Sequence, residues 1–99
     1  MENVIVLASF ELNDQSFLDE WKKISTGITE SLKQEDGFIS RYSGVGEDGR
    51  IHCILRWEND EKRLVFSKKM EEESFKEKMK DFGRIANLET MKKEIVKVF

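Results

Sequence analysis

The run Val4-Ile-Val-Leu-Ala-Ser-Phe10 constrains the fold of this chain more than any other stretch. It is rich in β-formers and reads as a strand, and successive residues of a strand point to opposite faces. Val4, Val6, Ala8 and Phe10 fall on one face, Ile5 and Leu7 on the other. A sheet with one wet face alternates cleanly between apolar and polar residues. This strand does not, so it needs cover on both sides.

The segments that follow set the order of elements. Asn13 or Asp14 offers an N-cap oxygen to a helix running to about Lys33. Its apolar positions Phe17, Leu18, Trp21, Ile24, Ile28 and Leu32 are spaced by three and four, with Asp19, Glu20, Lys22, Lys23 and Glu30 largely opposite. Gln34-Glu35-Asp36-Gly37 ends it, Gly37 being free to take the left-handed conformation of a helix exit. Phe38 to Gly44 and Ile51 to Trp57 read as the next two strands, and Asp48-Gly49 between them is a hairpin turn signal. Asn59 or Asp60 caps a second helical region. In it a first helix carries Leu64, Val65 and Lys68, a bend falls near Glu71 to Ser74, and a second helix carries Phe75, Met79, Phe82 and Ala86. Lys93 to Phe99 alternates again as a last strand. The order predicts an α+β, ferredoxin-like β-α-β-β-α-β fold in a single domain spanning residues 1–99, a four-stranded antiparallel sheet with helices on one face.

Helices on one face leave the other to water. On the third strand Ile54 shares a side with His52 and Arg56, opposite Ile51, Cys53, Leu55 and Trp57; on the last, Val96 and Val98 oppose Ile95 and Phe99. Leaving about five such apolar side chains in water would forgo roughly 1.5–3 kcal/mol apiece. Pairing two sheets face to face in a homodimer covers them.

A net charge of −3 gives no electrostatic footprint for nucleic acid and argues against an anionic membrane surface as partner. One cysteine, Cys53, excludes an internal disulfide framework or a multi-cysteine metal site and suits a reducing cytosol. Met1-Glu2-Asn3 lacks the basic leader of a signal peptide and the apolar run after it is too short to span a bilayer, so the expected location is the cytoplasm. Residues 60–81 hold seven acidic and seven basic residues, a balance that reads as a solvated helix face.

Few residues carry chemistry. His52 is the only histidine, the side-chain type suited to general-base work near neutral pH, and would serve toward an acidic phenol; on the face assigned to the dimer contact, a bond across that interface is the competing role. No second histidine or paired carboxylate has ligand spacing, so no metal is expected. Cys53 reads either as a reactive thiol, given a cationic setting, or as a small buried hydrophobe. Trp57 and Trp21, with Phe17, Phe66, Phe75 and Phe82, either wall an aromatic pocket or form an ordinary core. Tyr42 and Arg56 are the polar groups to seek at such a pocket, a phenol donor and an anion-holding fork, unless they sit at the surface or interface. Gly44, Gly46 and Gly49 join two strands and open no helix, so they do not form a dinucleotide fingerprint.

Gly37-Phe38 opening the second strand, Leu55-Arg56-Trp57-Glu58-Asn59 closing the third, and Glu73-Ser74-Phe75-Lys76 beyond it together resemble the dimeric α+β barrel superfamily, and within it the antibiotic-biosynthesis-monooxygenase-like domains. The resemblance covers nearly the whole chain. It implies a pocket in each subunit between helices and sheet, a barrel formed by two sheets, and cofactor-independent oxygenation of a small aromatic or quinol. The family's haem-degrading members use an Asn, a Trp and a His where this chain has Ala8 or Ser9, Phe66 and Met79, so haem degradation is not carried over. Haem binding without degradation stays open, as does a non-catalytic small-molecule-binding or stress-associated dimer.

Overall fold

The computed structural model of this chain describes residues 2–72, 77 and 80–99. The elements are β1 (Val4–Leu12), a 3-10 turn (Gln15–Phe17), α1 (Leu18–Leu32), β2 (Phe38–Val45), β3 (Ile51–Trp57), α2 (Asp60–Lys69), α3 (Lys80–Ile85) and β4 (Ala86–Lys97). The four strands form one sheet in the order β2-β3-β1-β4, and every neighbouring pair is antiparallel. This is the ferredoxin-like α+β arrangement that the order of sequence signals predicts. Phe75, Met79 and the Glu73-Ser74-Phe75-Lys76 stretch lie outside the described residues.

The central pair sets the faces. Val4 stands opposite Trp57, Val6 opposite Leu55, Ala8 opposite Cys53 and Phe10 opposite Ile51. Paired residues of an antiparallel ladder share a face, and this set turns toward the helices. The inward stripe of α1 meets it: Trp21 and Leu32 are buried, with Ile24 and Ile28 packed beside them. Phe10, Trp21, Ile51 and Ile85 belong to one part of the core, Val6, Leu32 and Trp57 to the other.

Two boundaries differ from the sequence reading. Asp14 does cap a helix, its Oδ1 accepting from the Ser16 amide at 2.8 Å, but the helix is the 3-10 turn, and α1 starts only at Leu18. The last strand begins at Ala86, not near Lys93, and Ala86 leaves the helix for the sheet. The cause is a clamp from β1. The Asn13 amide nitrogen donates to the Ile85 carbonyl at 2.8 Å, while its side chain donates to the carbonyls of Arg84 at 2.8 Å and Ala86 at 3.3 Å. These bonds satisfy the carbonyls that end α3 and turn the chain to pair with Leu12 and Glu11.

The tight connections use glycine where the backbone requires it. Gly49, in the β2–β3 hairpin, has φ +86° and Gly37, before β2, has φ +85°, a region that L residues seldom enter. Gly37 also touches α2: a Cβ there would lie 2.5 Å from Lys62 Cβ.

Phe10 is 1% exposed and stacks edge-on against Trp21, with ring centroids 5.1 Å apart. Truncating it to alanine (Phe10→Ala) is expected to cost about 3–5 kcal/mol, measured by urea unfolding. A loss below about 1 kcal/mol would show that this ring is not central to the core.

Candidate functional site

Ala8 and Cys53 face each other across β1 and β3, and both are small. Larger pairs flank them on the same face, Phe10 with Ile51 on one side and Val6 with Leu55 on the other. The helices rest on these larger residues and leave a hollow over the small ones. It has a volume of about 270 Å³, larger than the roughly 150 Å³ cavity that holds benzene and near the lower end of small-molecule sites.

Aromatic rings wall it at both ends. Phe10, Trp21 and Phe82 form one cluster, with centroids 5.1–5.5 Å apart. Trp57 joins Phe38 at 5.7 Å and Phe66 at 5.3 Å in the other. Ile28 and Leu32 of α1, Phe66 and Ser67 of α2, with Met70 just beyond it, and Met91 of β4 complete most of the lining. Of the expected pocket residues, Trp57, Trp21 and Phe66 thus line the cavity.

The polar group at this cavity is Arg41, which sequence reading did not single out. A bulge in β2 puts it there. Phe38 pairs with Trp57, but Ser40 pairs with Arg56, leaving Ile39 as an extra residue. The extra residue reverses the parity of the strand beyond it. Arg41 and Ser43 turn inward beside Leu55 and Cys53, while Ser40, Tyr42 and Gly44 turn outward.

Arg41 is held tightly. Its Nη1 donates to the Ser25 carbonyl at 3.1 Å, the Ser25 hydroxyl at 2.7 Å and the Thr29 hydroxyl at 3.0 Å. Its Nη2 lies 3.6 Å from Cys53 Sγ, which is also 3.4 Å from Ser43 Oγ. None of these partners is a carboxylate, and no ion pair engages Arg41 among the described residues. Burial pushes its guanidinium below its ordinary pKa, and the Cys53 sulfur draws it partly back up. Arg63, also at the cavity, is paired with Asp60 at 2.7 Å.

The residues proposed for catalysis from sequence, His52, Tyr42 and Arg56, stand together on the opposite face of the sheet. Tyr42 opposes Ile54 and is 69% exposed, and His52, also exposed, opposes Gly44. Arg56 donates to Asn3 Oδ1 at 2.9 and 2.7 Å. The period of two separates them from the cavity: Trp57, Leu55 and Cys53 face the helices, so Arg56, Ile54 and His52 cannot. None of the three lines the cavity. No cluster of three histidine, cysteine or acidic side chains able to hold a metal occurs among the described residues. No helix among them is long and apolar enough to cross a membrane.

No family model matches this chain, and no curated protein matches it by sequence. Solved structures do match its fold. A conserved protein from Methanosarcina mazei superposes with a TM-score of 0.78 at 13% identity, over 100% of this chain and 95% of the other. A candidate antibiotic biosynthesis monooxygenase from Deinococcus radiodurans gives 0.76 at 11%, over 97% and 92%. The cofactor-independent oxygenase SnoaB from Streptomyces nogalater gives 0.73 at 11%, also over 97% and 92%. The fold is therefore that of the antibiotic-biosynthesis-monooxygenase-like α+β domains, as the sequence resemblance implied. At these identities the likeness defines the fold.

A half-buried guanidinium without a counter-ion among the described residues is a cost to folding. The double variant Arg41→Met with Ser25→Ala removes the charge together with the buried hydroxyl that accepts from it at 2.7 Å, while the backbone carbonyl of residue 25 still accepts from Thr29 Oγ1 at 3.2 Å. It is expected to raise stability by about 1 kcal/mol in chemical denaturation. A loss of similar size would mean that the hydrogen bonds of Arg41 outweigh its desolvation.

Proposed function

We propose that this chain is a monooxygenase-like protein that binds a small aromatic in the helix–sheet cavity as its anion. The carrying observation is Arg41, a cation with no carboxylate partner among the described residues, set against an aromatic-walled hollow. An anionic oxygen on the ligand supplies the missing charge, and a charge-assisted hydrogen bond in a dry site is strong. The likeness of the fold to SnoaB supports the chemistry that follows.

An electron-rich aromatic with an acidic methylene loses a proton to give a conjugated anion, and that anion gives an electron to molecular oxygen. Recombination forms a carbon–oxygen bond, and the hydroperoxide then loses water. The methylene carbon becomes a carbonyl, one oxygen atom enters the product and the other leaves as water. The substrate supplies all four electrons, so the stoichiometry calls for no further reductant. Arg41 holds the anion and the rings orient it.

A specific observation favours a second reading, that of a non-catalytic ligand-binding protein. No carboxylate or imidazole lines the cavity among the described residues, so the proton must leave without a resident base of those types. Both readings share the anion site. We place the protein in a homodimer, since the outer face of the sheet groups Ile5, Leu7, Ile54 and Val96, with Leu7 and Ile54 36% and 42% exposed. Facing sheets would bury this patch.

Naphthols and 2-tetralone are expected to raise the melting temperature, with oxygen uptake above the protein-free rate for 2-tetralone, whose benzylic methylene is acidic. The variant Arg41→Gln should weaken binding about tenfold, the scale of one hydrogen bond to a charged group. Binding without oxygen uptake would select the second reading, and unchanged affinity in Arg41→Gln would remove the anion site from both. Sedimentation should give a dimer for the wild type and a monomer for the folded variant Ile54→Lys. A monomeric wild type at high concentration would refute the pairing.

A further inference from the structure

A second cationic residue, the exposed Lys93 of the edge strand β4, borders the cavity. Lys93 of β4 pairs with Ala8, which pairs with Cys53, which pairs with Ser43, so the four residues form one row across the whole sheet. The row lies on the helix-facing side, and Lys93 lines the cavity. Its neighbour Lys92 pairs with Ser9 on the outer face. Two strand spacings separate the Lys93 backbone from that of Cys53, about 10 Å in all. The Arg41 guanidinium stands over Cys53, with Nη2 3.6 Å from the sulfur. Between the two cations the floor is Ala8, with no side chain bulk to interrupt it.

The remaining charges at the cavity sharpen this picture. Arg63 is satisfied by Asp60. Lys93, like Arg41, engages no carboxylate among the described residues. A rim with two cations, a closed ion pair and, among the described residues, no uncompensated acid selects by charge as well as by shape.

We infer that the cavity is built for a hydroxylated aromatic acid, a two-ring ligand whose hydroxyl oxygen meets Arg41 and whose carboxylate, at the far end, meets Lys93. The two strand spacings between Lys93 and Cys53 leave room for a fused pair of rings, with the flexible Lys93 side chain reaching its far end. This rests on the anion-binding reading above and adds to it a second, permanent charge on the ligand. Arg41 then acts on the group that ionises, and Lys93 sets which molecules enter.

The test is calorimetric titration with 6-hydroxy-2-naphthoate and 2-naphthol, alongside oxygen uptake, above the protein-free rate, with 2-tetralone and its 6-carboxylate. Wild-type protein should bind the hydroxynaphthoate at least tenfold more tightly than the naphthol. Lys93→Met should abolish that preference by weakening the acid alone, Lys93→Arg should restore it, and added salt should erode it. Equal binding of acid and naphthol, or a preference that survives in Lys93→Met, would overturn the inference. If the naphthol binds and 2-tetralone drives oxygen uptake under those outcomes, the oxygenase reading stands while the carboxylate site falls. If neither naphthalene binds, both fall together.

Discussion

The pairing of β1 with β3 fixes the meaning of almost every other residue in this structure. Its register, from Val4 opposite Trp57 to Phe10 opposite Ile51, delivers one column of large apolar groups to the helices and another to the outside. A slip of one residue would invert both columns. It would expel Phe10, Ile51 and Trp57, each 1% exposed, and bring His52 and Arg56 under α1. Both columns are rich in apolar groups, so the alternation alone does not choose between them. Size does, because the rings and the tryptophan are all in one.

Within that column the Ala8–Cys53 pair is the exception, and the cavity follows from it. A core of uniform bulk would close over this point. The two small residues forgo packing there, and the bulge at Ile39 brings a guanidinium to the same place. Each feature lowers stability, and they coincide. Coincident local costs in an otherwise consistent core are what a binding site looks like when sequence and structure are read together.

The order of elements, the hairpin at Asp48-Gly49 and the stripe of α1 were legible in the sequence because each depends on residues close together in the chain. Trp21, Trp57 and Phe66 were legible as a group because large rings on inward positions converge in any fold of this plan. Arg41 was not. From Phe38 onward strict alternation puts Ser40, Tyr42 and Gly44 inward, which favours Tyr42 as the polar pocket group; one extra residue in β2 undoes that, and nothing in Phe38-Ile39-Ser40-Arg41 announces it. A fainter signal lay in α1, where Ser25 and Thr29 interrupt the series Trp21, Ile28 and Leu32. Polar groups on an inward face need a partner, and Arg41 is that partner. The start of β4 was illegible for another reason. Ala86 continues the spacing of four from Phe82 that reads as helix, although Ala86-Asn87-Leu88-Glu89 also alternates, and its strand state comes from Asn13, more than seventy positions earlier.

The bulge in β2 has an effect at the rim of the sheet as well as in its centre. β2 and β4 are the two margins, each with a row of peptide groups that could template another strand. At β2 the extra residue breaks the regular spacing of that row. At β4 the sequence Lys92-Lys93-Glu94 with Lys97 loads the margin with charge, which opposes sideways growth. A sheet guarded at both margins resists lateral extension into fibrils. Its remaining sticky surface is a bounded patch that the proposed homodimer would exhaust, at which point assembly would come to a halt.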